Sequence, residues 1–108
     1  MIENPFVEVY LEVATCNKNM IPDFPVLVDL ELTNYCNFNC KMCPGQQLAK
    51  RKRDYMVDRI WFKVLKELVS HQTPIRFVRW GEPTIHPKFA DWVRIAKMED
   101  LLVHVNTN

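Results

Sequence analysis

The chain has 108 residues, 48% of them apolar and 11% aromatic. That is enough to bury roughly two-thirds of its surface around one core, and the composition is the opposite of a disordered segment's. Fourteen Lys and Arg against thirteen Asp and Glu leave a formal charge of +1, which excludes a general electrostatic nucleic-acid binder, a markedly basic class. The unusual counts are four cysteines and two glycines.

The first residues, Met1-Ile2-Glu3-Asn4-Pro5-Phe6, have neither a basic start nor an apolar run and do not read as a secretory leader. Apolar runs such as Val26 to Val28 are far shorter than the ~20 residues of a spanning helix. The expectation is a cytoplasmic protein with neither membrane nor nucleic acid as partner. Thiols are mostly reduced in that compartment, so clustered cysteines there point to metal or catalysis rather than to disulfides.

Phe6 to Val13 alternates, with Val7, Val9, Leu11 and Val13 on one face, and predicts a β-strand. Cys16 to Pro25 is a connecting loop, rich in Asn and Pro. Val26 to Thr33 alternates again and predicts a second strand, followed by the polar, cysteine-rich segment Asn34 to Gly45. Between Val57 and Ser70, Ile60, Trp61, Val64, Leu65 and Leu68 fall at helical spacing. Pro74 blocks continuation, and Ile75 to Trp80 is a β-type run. Gly81 to Pro87 is loop chemistry, and Phe89, Trp92, Val93 and Ala96 mark a second helix with Pro87 near its start. Leu101 to Val105 closes as a short strand before Asn106-Thr107-Asn108.

Strands alternating with helices imply a parallel sheet, and ligands of such sheets gather beyond the carboxyl ends of the strands. Asn34–Gly45, Gly81–Pro87 and Asn106–Asn108 each follow a strand and should converge on one rim.

Cys36, Cys40 and Cys43 form C-x3-C-x2-C on the first of these segments. Three thiolates are one short of a closed zinc site, whereas they match three irons of a cubane cluster and leave the fourth open. Asn34, Asn37 and Asn39 interleave them, and Asn tolerates the tight local backbone of a wrapping loop. A zinc-binding interaction module, completed by Cys16 or a histidine, stays open as the alternative. Cys16 itself reads as an ordinary thiol. His71, His86 and His104 read as structural, Trp61, Phe62 and Trp92 as helix–sheet packing, and Lys50-Arg51-Lys52-Arg53 as a solvated loop.

Leu30 to Gly45, read with Trp80-Gly81-Glu82-Pro83, Ile85-His86-Pro87 and Val105-Asn106-Thr107-Asn108, resembles the radical S-adenosylmethionine (SAM) superfamily. In that family a C-x3-C-x2-C loop follows the first strand of a partial (β/α)6, TIM-barrel-like core. A Gly-Gly-Glu-Pro motif follows the second strand, and Thr-Asn-Gly ends the third. The resemblance implies an α/β fold with residues 1–25 as an N-terminal strand and linker, and 26–108 as the N-terminal portion of the core, lacking its C-terminal strands. It implies a 4Fe–4S cluster on Cys36, Cys40 and Cys43, with SAM contacted by Met42, Gly81, Glu82, Pro83, Asn106 and Asn108. Glu82 would accept from the cationic amino group of SAM, and the Met42 backbone would face the adenine. The implied activity is reductive cleavage of SAM to a 5′-deoxyadenosyl radical that takes hydrogen from a substrate, with flavodoxin or ferredoxin as reductant. A chain ending at Asn108 is expected to be a fragment not competent alone for that cleavage. Two positions depart from the family: Met42 stands where an aromatic residue is usual, and Trp80 replaces the first Gly, placed to crowd the SAM site or reshape it.

Overall fold

The computed structural model describes residues 4–15, 21–45 and 52–108. Cys16 and the first half of the basic run, Lys50 and Arg51, lie outside the described residues.

The elements in chain order are helix α1 (Phe6–Thr15), strand β1 (Val28–Leu30), helix α2 (Asp58–His71), strand β2 (Ile75–Phe77), a 3-10 turn (Pro83–Ile85), helix α3 (Phe89–Met98) and strand β3 (Val103–Val105). The strands form a parallel sheet in the order β1-β2-β3. The β-α-β-α-β order expected from periodicity is therefore present, with shorter strands. Their alternating patterns continue past the ladder into the rim loops, where Val78 N still donates to Leu30 O (3.3 Å) and Asn106 N to Phe77 O (3.1 Å).

The N-terminal β-strand expected over Phe6 to Val13 is instead helix α1. An eight-residue alternation of apolar side chains also places Phe6 above Tyr10 and Val9 above Val13 at helical i,i+4 spacing. The deciding signal is at the start, where Asn4 Oδ1 accepts from Phe6 N at 2.9 Å and Asn4 O accepts from Val7 N at 3.0 Å. Asn before Pro is a helix cap followed by a residue whose missing N–H costs nothing in the first turn.

Helix α2 stops where Gln72 turns left-handed (φ 51°) and Thr73 N reaches back to Leu68 O at 2.9 Å, satisfying carbonyls that a helix end leaves orphaned. Part of the linker packs on this end: Phe24 stacks on His71 with ring centroids 3.8 Å apart, and Thr73 Oγ1 donates to Pro25 O.

The two faces of the sheet differ. Leu30, Ile75 and Phe77 point to α2 and α3 and form the core with Trp61, Leu65, Leu68, Trp92, Ala96 and Leu101. Trp61 and Trp92 stack across the two helices at 4.9 Å and 7°. The middle residue of each strand, Asp29, Arg76 or His104, faces the other way, and the register sets them side by side. Arg76 donates twice to Asp29 (2.8 Å each), which holds the Asp29 carboxyl below its usual range. Tyr10 and Phe6 of α1 lie against His104, and Tyr10 also faces Arg76, so α1 covers that end of the row while Asp29 stays exposed. Among the described residues no helix is long and apolar enough to cross a membrane.

Candidate metal and cofactor centre

The three polar segments do converge beyond the carboxyl ends of the strands, and hydrogen bonds close them into a ring. Glu82 N donates to Tyr35 O (2.8 Å), joining the loop after β2 to the loop after β1. Thr107 Oγ1 donates to Glu82 Oε1 (2.7 Å) and Asn108 N to Glu82 Oε2 (2.9 Å), joining the loops after β2 and β3. Asn108 Nδ2 donates to Asn37 Oδ1 at 2.9 Å and lies 3.7 Å from Cys36 Sγ, returning to the first loop.

Glu82 is the hub. It is 4% exposed, and its Oε1 also accepts from Thr84 N (3.2 Å) and Thr84 Oγ1 (2.6 Å) as the cap of the 3-10 turn. Burial alone pushes its carboxyl up, but the bonds from Thr84, Thr107 and Asn108 outweigh it and hold the group ionised below its ordinary value. Oε1 is crowded with donors, whereas Oε2 accepts from Asn108 N and keeps lone-pair capacity for a further donor.

Gly81 has a packing reason to be glycine. A Cβ there would stand 1.9 Å from Thr33 O and 3.0 Å from Asn34 Cα. The backbones of the first two loops thus meet where no side chain fits. Beneath this crossing, Thr33 Oγ1 donates to Asp54 O (2.8 Å) and accepts from Tyr35 N (3.1 Å), and Asn34 bonds the 52–54 segment through both ends of its amide.

The cysteine loop lines a shallow cavity of about 20 Å³ together with Phe38, Gly45, Arg53 and Trp80. Cys36 and Cys43 are half-buried and Cys40 is exposed. Backbone amides are aimed at two of the sulfurs: Phe38 N at Cys36 Sγ and Gly45 N at Cys43 Sγ, both at 3.4 Å. A Cβ on Gly45 would lie 3.2 Å from Cys43 Sγ and 3.3 Å from Trp80 O, narrowing this cradle. The donor set fits a thiolate-bound cluster: three sulfurs of one loop, two of them backed by amides, beside the Arg53 side chain. Among the described residues no three His, Cys, Asp or Glu side chains are grouped to hold a single metal ion.

The remaining expected residues lie as follows. Pro83 is buried at the start of the 3-10 turn. Met42 projects into solvent at 87% exposure on the turn closed by Cys43 N and Cys40 O. The Asn106 side chain turns to His104 (2.6 Å), toward the polar row rather than toward Glu82. His86 is structural: Nε2 donates to Met56 O (2.9 Å) and Nδ1 accepts from Lys88 N (3.0 Å). Sequence reading missed Thr84, gave Asn37 only a loop-wrapping part and Thr107 only a place in a motif, and left Arg53 in a solvated run, whereas the first three complete the network. Arg53 Nη1 donates to Asn34 O at 2.6 Å. A Thr two residues after a loop carboxylate is a turn signal, and Thr107 stands in the quoted Val105-Asn106-Thr107-Asn108 segment, but its bond to Glu82 is visible only in the fold.

No protein-family model matches the chain. It is 36% identical over 81 residues to the tungsten-containing aldehyde ferredoxin oxidoreductase cofactor-modifying protein of Pyrococcus furiosus, a match covering 73% of the chain and 22% of that protein. It is 31% identical over 77 residues to a putative glycyl-radical enzyme activating enzyme of Methanocaldococcus jannaschii, covering 71% of the chain and 29% of that protein. The chain thus spans under a third of the length of these curated relatives. Its fold matches the crystal structure of BtrN in complex with AdoMet and 2-DOIA, with a TM-score of 0.71 and 18% identity, over 82% of the chain and 37% of BtrN. By these relatives and this fold, the chain is related to the radical SAM superfamily and matches part of that longer α/β fold.

Proposed function

We propose that this chain holds a 4Fe–4S cluster on Cys36, Cys40 and Cys43 and binds SAM beside it, as part of a radical SAM enzyme. The observation that carries the reading is the closed ring of loops. It sets three cysteines, two of them backed by amides, next to a buried ionised carboxylate at the carboxyl ends of three parallel strands. When bound, such a cluster supplies one electron that splits SAM into methionine and a 5′-deoxyadenosyl radical able to take hydrogen from an unactivated C–H.

The chain's own residues hold and orient. Glu82, kept ionised by its donors, offers Oε2 to the ammonium of SAM as a charge-assisted acceptor. Gly81 lets the two loops approach closely enough to present that carboxylate beside the cysteine loop. Pro83 starts the turn that carries Thr84, and the Met42 backbone and Asn108 complete the SAM contacts. Arg53 and Trp80 wall the cysteine cavity. Cluster binding belongs to this chain. Cleavage needs strands supplied by a longer barrel, in line with the 22–37% of each relative that the chain spans. The protein works in the cytoplasm with a low-potential donor such as flavodoxin or ferredoxin.

Anaerobic reconstitution with iron and sulfide tests the reading. The chain is expected to take up about four irons and four sulfides, the content of one cubane, and to turn brown. Cys40→Ala should lose the cluster and Cys16→Ala should keep it. Uptake of about one zinc with no visible absorbance would establish the zinc-binding module instead.

A further inference from the structure

We infer that Asn108 is a positioning residue for the cysteine loop that raises the reduction potential of its cluster; this rests on the cluster reading above. Asn108 is held at both ends. Its backbone N–H is anchored on Glu82 Oε2 at 2.9 Å. Its side-chain amide donates to Asn37 Oδ1 at 2.9 Å and directs a second hydrogen toward Cys36 Sγ at 3.7 Å. One NH2 group has two hydrogens, so both bonds are made at once.

The amides of Phe38 and Gly45 that point at Cys36 and Cys43 belong to the cysteine loop itself and form with its turns. Asn108 is different: it comes from the end of β3, and it ties the residue after Cys36 as well as the sulfur. The loop after β3 therefore fixes where Cys36 stands relative to Glu82. A cluster gains negative charge on reduction and shares it with its cysteine sulfurs. An N–H aimed at Cys36 stabilises the reduced form more than the oxidised form, and the potential rises. Cys36 is half-buried, so solvent screens the bond only in part.

The test compares the reconstituted wild-type chain with Asn108→Leu, which keeps the size and the backbone bond to Glu82 but has no side-chain donor. Midpoint potentials are read by redox titration followed by electron paramagnetic resonance, with iron and sulfide measured on each sample. The expected result is a lower midpoint potential at unchanged cluster content, with Asn108→Gln, which restores an amide, returning toward wild type. Should Asn108→Leu fold poorly, Asn108→Ala removes both N–H donors without adding charge and should lower the potential likewise. A folded, fully loaded donor-free variant with the wild-type potential overturns the inference and leaves the cluster reading intact. A wild-type chain that takes up no cluster overturns both.

Discussion

Replacing Glu82 by Gln changes one atom in a buried network. In the wild type, Thr84 N, Thr84 Oγ1 and Thr107 Oγ1 donate to Oε1 and Asn108 N donates to Oε2. In the variant the amide oxygen can serve one set of donors, and the NH2 group, itself a donor, faces the other. Turned to keep Thr84 and Thr107, the amide opposes the N–H of Asn108. Turned to keep Asn108, it opposes Thr84 N while the Thr84 and Thr107 hydroxyls rotate to accept from it, so either orientation loses one backbone donor. One charge-assisted bond is lost outright and the other three lose their charge. A bond to a charged group contributes about 1.5–3 kcal/mol, and bonds on one carboxylate are not additive, so the expected loss is about 2–3 kcal/mol. For a domain near 100 residues that is roughly 8–12 °C in Tm.

The pH dependence gives a second reading of the same network. The folded carboxyl titrates below its ordinary value, so its contribution is full above the unfolded carboxyl pKa of about 4.5 and is lost as pH falls through the lower, folded value. Thermal unfolding followed by circular dichroism from neutral pH into acid should show the wild-type advantage over Glu82→Gln shrinking in that window. Equal melting temperatures at pH 7, or a gap that stays constant into acid, would refute the reasoning.

Two other substitutions probe the scaffold. Gly81→Ala places a Cβ 1.9 Å from the Thr33 carbonyl oxygen, a backbone atom that cannot swing aside; the loops must part, at a cost of about 1–3 kcal/mol, read as a fall in Tm and as weakened cluster retention. Asn4→Ala removes the cap of α1 and should cost about 1 kcal/mol, appearing in hydrogen exchange as faster opening of 6–10 with the sheet amides unchanged.

Much of the fold is legible locally. The apolar spacing of Trp61, Val64, Leu65 and Leu68 defines α2, Pro74 ends any continuation, and Trp92 and Ala96 mark the buried side of α3. Alternation of strands with helices then requires polar segments after the strands to meet at one rim, as they do. Phe6–Thr15 shows the limit of that logic. Its alternating apolar residues satisfy two periods over so short a run, and the choice between them lies in the Asn4 cap and in Phe6 and Tyr10 packing on His104, about 94–98 positions away.

The site divides along the same line. Residues close in the chain and chemically distinctive are readable from order alone: Cys36, Cys40 and Cys43 as one thiolate set, Gly81-Glu82-Pro83 as a strand-end loop. Only the tertiary structure decides what Glu82 and Gly81 do within this chain, because their partners, Thr107 and Asn108 for the one and Thr33 for the other, are brought up by parallel pairing of strands far apart in sequence. Sequence records which side chains carry the chemistry. Long-range strand register determines which of them share a buried hydrogen bond, since an interaction between groups distant along the chain leaves no local pattern to read.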